Sequence, residues 1–313
     1  MIKSKHLIHI NDFTNDEIYA VLENAATFKE INERPIKKLP TLRGRTIINM
    51  FLEPSTRTRG SFELAQKRLS ADSLNFSASA SATTKGESLV DTAQTFDAMK
   101  VDMVIVRHRY AGSPYILAEN MDAHIVNGGD GLHQHPTQAL LDLFTIKEKL
   151  GRIEGLTVGI IGDIFHSRVA GSLGPVLKRL GAHPIFIAPP SYQPSNPEVW
   201  EGEVAYTLDE VLPDLDVVYL LRIQGERAQG LSVPSLREYS SIYGMNRYRA
   251  ENIMKKDAII MHPGPMNRGV EITPDVIADP RSHVLDQVNA GVAVRMAIMY
   301  MMLGGETDAE AVA

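Results

Sequence analysis

Cysteine is absent from the 313 residues. That excludes disulfides, thiolate zinc sites, cysteine nucleophiles and cysteine-ligated clusters, and it fits a reducing compartment. A basic surplus is missing too: 32 Lys and Arg stand against 38 Asp and Glu, a formal net charge of -6. Nothing in that balance suits neutralisation of a polyphosphate backbone, so nucleic acid is not the expected partner. No apolar run approaches the roughly 18 residues of a membrane span, and Met1 to Ile10 alternates charged and apolar residues too soon for a signal peptide. These absences predict a soluble, cytoplasmic chain whose chemistry uses oxygen, nitrogen and backbone groups.

At about 100 to 200 residues per domain, the length predicts two domains, and an apolar share of 44% is ordinary for a chain with real cores. Short β-branched runs mark strands at Arg45 to Phe51, Ser73 to Phe76, Met103 to Val106 and Ala123 to Val126, and again at Thr157 to Ile161, Pro184 to Ile187, Val217 to Leu221 and Ala258 to Met261. Helical spacing lies between them. Phe62, Ala65 and Leu69 recur at three and four; Pro136 opens a helix that runs to Leu150 and Gly151; Ala170 to Leu180 forms another. Strand and helix in alternation predict α/β architecture, with a parallel sheet covered on both faces. The domain boundary falls near Pro136. In the last helix, Gly291 to Leu303, the stripe Val292, Met296, Met299 and Met302 reads as core filler rather than a cofactor box. Ser77 to Thr84 reads as a mobile loop and Gly304 to Ala313 as a frayed tail.

Ligands of parallel sheets bind outside the carboxyl ends of the strands, and most cations not explained as solvated helix faces follow a strand here. Glu53 and Ser55-Thr56-Arg57-Thr58-Arg59 follow the first, the loop ending at Lys85-Gly86-Glu87 the second, and Arg107-His108 the third. Asn127 to Asp130 and His133 to Gln138 follow the fourth; Asp163 and Arg168, Arg222 and Gln224, and His262-Pro263-Gly264-Pro265 follow strands of the second half.

Ser55 to Arg59 opens a helix, where unpaired N–H groups and the positive end of the dipole favour an anion. Hydroxyls and the Arg57 fork would add donors for phosphate. The segment ends in no Gly-Lys-Ser/Thr, so ATP is not implied; taken alone it also describes a capped helix start with surface arginines. His135 stands at or beside the next helix N-cap, where the dipole disfavours its charged form and leaves a neutral imidazole able to donate to an oxyanion; a purely structural cap is the alternative. His133 with His135 could suggest a metal, but only Asp130 offers a carboxylate at ligand spacing. Gly159 and Gly162 follow a strand without the full dinucleotide pattern. Arg168 and Arg222 suit a ligand with two carboxylates, or else domain-interface ion pairs. The His262 to Pro265 loop offers rigid carbonyls for an amide NH2, or is only a stiff turn.

The set Ser55 to Arg59, Lys85-Gly86-Glu87-Ser88, Arg107-His108, His135-Pro136-Thr137-Gln138, Arg222-Ile223-Gln224 and His262 to Pro265, in this order between about Ile8 and Leu303, resembles the catalytic chains of aspartate carbamoyltransferases within the aspartate/ornithine carbamoyltransferase family. The ornithine branch carries a Ser-Met-Gly loop and a His-Cys-Leu-Pro motif that this chain lacks. The best-known bacterial form has His-Pro-Leu-Pro-Arg, whereas here Met266 and Asn267 displace Arg268 by two positions.

The resemblance implies two three-layer α/β/α domains, each with a mainly parallel sheet, and a C-terminal helix returning to the first domain. A carbamoyl phosphate-binding domain would span 1–135 plus 290–313, and an aspartate-binding domain 136–289. It implies transfer of the carbamoyl group of carbamoyl phosphate to L-aspartate, giving N-carbamoyl-L-aspartate and phosphate in de novo pyrimidine biosynthesis, with no cofactor and no metal. The phosphate would rest on Ser55, Thr56, Arg57 and Thr58, the carbonyl oxygen on Thr58, Arg107 and His135, and the NH2 on Gln138 and the carbonyls of Pro263 and Gly264. Aspartate would be held by Lys85, Arg168, Arg222 and Gln224. Ser81 and Lys85 would come from a neighbouring chain of a homotrimer, and some members add a regulatory chain or a dihydroorotase. A transcarbamylase for another amine, or a silent scaffold, are the competing readings.

Overall fold

The structure, a computed structural model, describes residues 2–77, 88–194, 196, 200, 202–223 and 235–304. Residues 78–84 of the Ser/Ala/Thr loop, the sites proposed at Ser81, Lys85 and Gln224, and the tail from 305 lie outside them. The chain divides into two compact units, Met1–Phe144 with Val288–Ala313, and Thr145–Gln287.

The first unit contains α1 (Asn15–Asn32), β1 (Thr46–Phe51), α2 (Thr56–Arg68), β2 (Asp72–Ser77), α3 (Leu89–Ala98), β3 (Met103–His108), α4 (Ser113–Asn120), β4 (His124–Asp130) and the start of α5 (Pro136–Leu150). Its four strands are parallel, in the order β2-β1-β3-β4. Ile47 to Phe51 of β1 are all buried, the continuous run expected of a strand covered on both faces. Phe62, Ala65 and Leu69, the face of α2 read from the sequence, are fully buried. The helix is also held by a polar clasp: Asn49 and Gln66 exchange amide hydrogen bonds of 2.9 and 2.8 Å, and the Ser73 hydroxyl joins Gln66.

Between β3 and β4 the register shifts: Val106 faces Asn127 but His108 faces Asp130, so Gly128 and Gly129 together oppose Arg107. Gly129 takes φ +116°, a conformation glycine adopts freely. A glycine pair inside a strand marks such a bulge, which re-aims side chains near it.

The second unit contains β5 (Thr157–Ile161), α6 (Arg168–Arg179), β6 (His183–Ile187), β7 (Glu203–Ala205), α7 (Leu208–Val211), β8 (Val217–Leu220), α8 (Leu236–Tyr243), α9 (Arg247–Asn252), β9 (Ile259–Met261) and α10 (Pro274–Ile277). The parallel sheet runs β7-β6-β5-β8-β9. The edge strand β7 was not foreseen; three residues, Glu203, Val204 and Ala205, carry no period to read.

The last helix, α11 (Val284–Leu303), starts seven residues before the expected Gly291. Its first turns expose Leu285 (82%) and Val288 (46%), which blurs the apolar stripe, while Met296 and Met299 further on are fully buried. Its later part belongs to the first unit, where Tyr300 meets Phe28 edge-on at 5.7 Å. Among the described residues no helix is long and apolar enough to cross a membrane.

Candidate active site

Both sheets reverse their strand order once: between β1 and β3 in the first unit, and between β5 and β8 in the second. Such a switch point opens a crevice at the carboxyl ends of the two strands. Ser55 to Arg59 follow β1 and Arg107 stands at the end of β3 in the first unit, and Arg168 and Arg222 follow β5 and β8 in the second, while His135 and Gln138 follow β4 and His262 to Pro265 follow β9.

In the first unit, Ser55 is the N-cap residue of α2, yet its hydroxyl makes no capping hydrogen bond. A bare cap would use it. No acidic residue occupies the first turn, so the positive end of the helix is not neutralised locally. Thr56 and Arg57 are exposed and Thr58 is 7% exposed. Across the switch point, Arg107 is clamped from both flanking strands: Nη1 donates to the Gly128 carbonyl at 3.1 Å, and Nη2 lies 3.5 Å from Glu53 Oε1 beyond β1. The bulge in β4 thus supplies the carbonyl that aims this guanidinium.

The turn after β4 is built around buried Asp130. Its carboxylate accepts from Asn127 Nδ2 (2.7 Å), Gln134 N (3.1 Å) and Gly112 N (2.8 Å), and contacts His133 Nδ1 at 3.0 Å. Burial pushes the Asp130 carboxyl up, but the hydrogen bonds from His133, Asn127 and Gly112 outweigh it and hold it below the usual carboxylate range. His133 is thereby a structural partner of Asp130, and among the described residues no group of three His, Asp or Glu could hold a metal ion. His135, 4% exposed, caps α5 through its carbonyl, which accepts from Gln138 N and Ala139 N at 2.9 and 3.2 Å. Gln138 is 8% exposed, and its Nε2 donates to Asp142 at 3.0 Å. The unit extends to Phe144, so Gln138 belongs to the same unit as Ser55 to Arg59; α5 is one continuous helix whose first turns bury their apolar face there.

In the second unit, Gly162 (φ +129°) turns the chain out of β5, Asp163 accepts from His166 N (3.2 Å) and contacts its Nδ1 (2.7 Å), and Ser167 caps α6 through Ala170 N. This holds Arg168 as the first residue of α6, 3% exposed. Gly159 has a packing role: a Cβ there would lie 2.4 Å from Leu215 Cδ1. Gly159 therefore serves the packing of the sheet.

Arg222 follows β8, and its Nε donates to Asn267 Oδ1 at 3.5 Å. Asn267 in turn donates through its backbone N to Glu271 Oε1 (2.5 Å) and through Nδ2 to the Ile223 carbonyl (3.4 Å). Fully buried Glu271 also lies 3.3 Å from His262 Nε2, while His262 Nδ1 accepts from Gly264 N at 2.8 Å. An acceptor at Nδ1 leaves the ring proton on Nε2, facing Glu271. One carboxylate thus fixes both the Pro263-Gly264 loop, where Gly264 has φ +65°, and the partner of Arg222. Sequence reasoning passed over Glu271, Asn267, Asp142 and the clamp on Arg107. Arg268, displaced by the Met266-Asn267 insertion, is exposed. A cavity of about 560 Å³ lined by Lys38, Arg43, Gly44 and Asp72 opens at the amino ends of β1 and β2, away from these residues.

Residues 5–148 match the family model "Aspartate/ornithine carbamoyltransferase, carbamoyl-P binding domain", and residues 154–302 match "Aspartate/ornithine carbamoyltransferase, Asp/Orn binding domain". The chain belongs to the aspartate/ornithine carbamoyltransferase family. Within that family it is 52% identical over 301 residues to the aspartate carbamoyltransferase catalytic subunit of Acidothermus cellulolyticus, covering 96% of this chain and 93% of that one. The same identity over 301 residues links it to the subunit of that name from Thermobifida fusca, with 96% of each covered. Among carbamoyltransferases of known structure, the aspartate transcarbamoylase of Trypanosoma cruzi in complex with carbamoyl phosphate and aspartate superposes with a TM-score of 0.86 at 31% identity, covering 96% of this chain and 97% of that one.

Proposed function

We propose that this carbamoyltransferase is the catalytic chain of an aspartate carbamoyltransferase, forming N-carbamoyl-L-aspartate and phosphate from carbamoyl phosphate and L-aspartate in pyrimidine biosynthesis. The observation that carries the reading is the amino terminus of α2 at a switch point: a helix start with no acidic first turn, a Ser55 hydroxyl not spent on capping, and Arg107 clamped across the sheet. That is a site for an anion bonded to a polar group. Near-full-length identity of 52% to chains of that name supports aspartate as the acceptor.

In this reading the first unit binds carbamoyl phosphate. Ser55, Thr56, Arg57 and Thr58 take the phosphate; Thr58, Arg107 and His135 face the carbonyl oxygen; Gln138, with the Pro263 and Gly264 carbonyls, accepts from the NH2. The second unit orients aspartate through Arg168, Arg222 and Gln224, with Ser81 and Lys85 supplied by a neighbouring chain of a trimer. The aspartate nitrogen attacks the carbamoyl carbon, a C–N bond forms, and the oxyanion is met by donors already in place. The C–O bond to phosphate then breaks with its electron pair leaving on phosphate, and the nitrogen sheds a proton. Holding two anions in near-attack geometry supplies several kcal/mol, up to about 7 to 11 in favourable cases, and the fixed donors add to it. A cysteine-free chain suits action in the cytoplasm. Association with a regulatory chain or a dihydroorotase would appear as co-purification from the native source.

An acceptor panel tests the assignment. With carbamoyl phosphate supplied and phosphate release followed, aspartate should exceed ornithine by at least about a thousandfold in kcat/KM, since a site built to pair two carboxylates rejects an amino acid whose side chain lacks the second one. Preference for ornithine or another amine would transfer the assignment to that acceptor, and no turnover with any would leave a scaffold.

A further inference from the structure

Gln138 can serve the substrate's NH2 only if its own amide is the right way round. A glutamine amide carries a donor end and an acceptor end, and helix position alone does not choose between them. The structure contains a device that does. One turn along α5, on the same face, Asp142 is fully buried and accepts from Gln138 Nε2 at 3.0 Å. A carboxylate offers only acceptors, so the NH2 end of Gln138 must face it, and the carbonyl Oε1 is left for the other side.

A buried carboxylate needs a counter-charge, and Arg295 from α11 supplies one. Arg295 is 3% exposed, its guanidinium lies 4.8 Å from the centre of the Phe62 ring of α2, and its Nη1 donates to the Gly291 carbonyl at 3.0 Å. Burial lowers its pKa and the negative charge of Asp142 offsets part of that, leaving it at about 10, so it stays protonated at neutral pH. The glycine at 291 makes the room: a Cβ there would stand 2.7 Å from Arg295 Nη1. The cluster therefore ties three helices of the first unit together: α2 with the anion cradle, α5 with His135 and Gln138, and α11.

We infer that Asp142 is a positioning residue that locks Gln138 with its carbonyl oxygen toward the substrate's NH2, and so makes the site select a carbamoyl phosphate over an acetyl phosphate. This rests on the proposed role of Gln138 in carbamoyl phosphate binding. Acetyl phosphate carries a methyl group where carbamoyl phosphate carries NH2, and it would leave Gln138 Oε1 without its donor.

The test compares two constants in each variant: KM for carbamoyl phosphate and Ki for acetyl phosphate as a competitor. In Asp142→Asn the new amide can donate or accept, so Gln138 is no longer forced into one orientation. The KM for carbamoyl phosphate should rise about tenfold, the worth of one hydrogen bond, while the Ki for acetyl phosphate shifts less than about twofold. Gln138→Ala should give the same selective loss, and the double variant no more than either single one. Asp142→Asn combined with Arg295→Met removes both buried charges; it should recover thermal stability lost in Asp142→Asn, or fold where that variant does not, yet keep the degraded ratio. Selectivity that returns with stability would make the pair structural only and overturn the inference. A normal ratio in Asp142→Asn beside a lowered one in Gln138→Ala would overturn it while leaving Gln138 its role. A normal ratio in both would remove Gln138 from substrate binding, and the inference with it.

Discussion

Asp130 makes four contacts with one side chain, and each is a local geometric requirement of the turn that leads to His135. Because its carboxyl is held below the ordinary range, the ionised form is favoured by folding. The stability it contributes is complete above about pH 4, the unfolded value, and is lost as pH falls through the lower folded value. Asp130→Asn keeps the shape but turns one acceptor into a donor facing the Gly112 N–H. It should cost about 1 to 3 kcal/mol at pH 7, and the gap from the unsubstituted protein should narrow below about pH 4. Urea denaturation at pH 7 and pH 3 measures both; a gap independent of pH would show that the charge is not what the turn uses. At the same scale, the residues proposed to touch substrate were legible from type and position, because arginines and hydroxyls after strands are conspicuous. Those that hold them were not. Glu271 reaches Asn267 and His262 across four and nine residues of irregular chain, and Asp142 looks like one polar residue within an apolar helix.

Elements in this chain follow the sequence where a local pattern fixes them. Thr157–Ile161 and Pro136–Leu150 have the bounds their patterns suggest, since a β-branched run ends at glycine and a helix starts at proline. They depart from it where packing decides. The strand β7 exists because Ile185, Phe186 and Ile187 of β6 offer it a ladder. The packing of β5 can be tested at Gly159, where an added methyl would press on Leu215 Cδ1 at 2.4 Å and Ile187 Cδ1 at 3.0 Å. Gly159→Ala should destabilise the second unit by about 1 to 3 kcal/mol, the usual cost of overpacking, read by chemical denaturation. A neutral or stabilising result would mean that both side chains repack without strain.

On the scale of the whole molecule, the proposed sharing of sites between chains has a direct assay. Lys85→Ala chains and Arg57→Ala chains, each inactive, are mixed under conditions where subunit exchange is verified. Activity should return toward a fraction of the native level, through sites that combine an intact Arg57 from one chain with an intact Lys85 from another. No recovery would place both residues in sites formed by a single chain.

Composition and periodicity by themselves determined that the chain is α/β, that it lacks thiol chemistry, and that its cations gather after strands, because those properties are set by residue type and by neighbours a few positions apart. The strand orders β2-β1-β3-β4 and β7-β6-β5-β8-β9, the glycine bulge that aims Arg107, and the Gln138-Asp142-Arg295 chain were decided only by tertiary structure. Each depends on which distant segments pair or pack, and an electrostatic interaction between residues 153 positions apart, Asp142 and Arg295, leaves no mark in the local pattern of either.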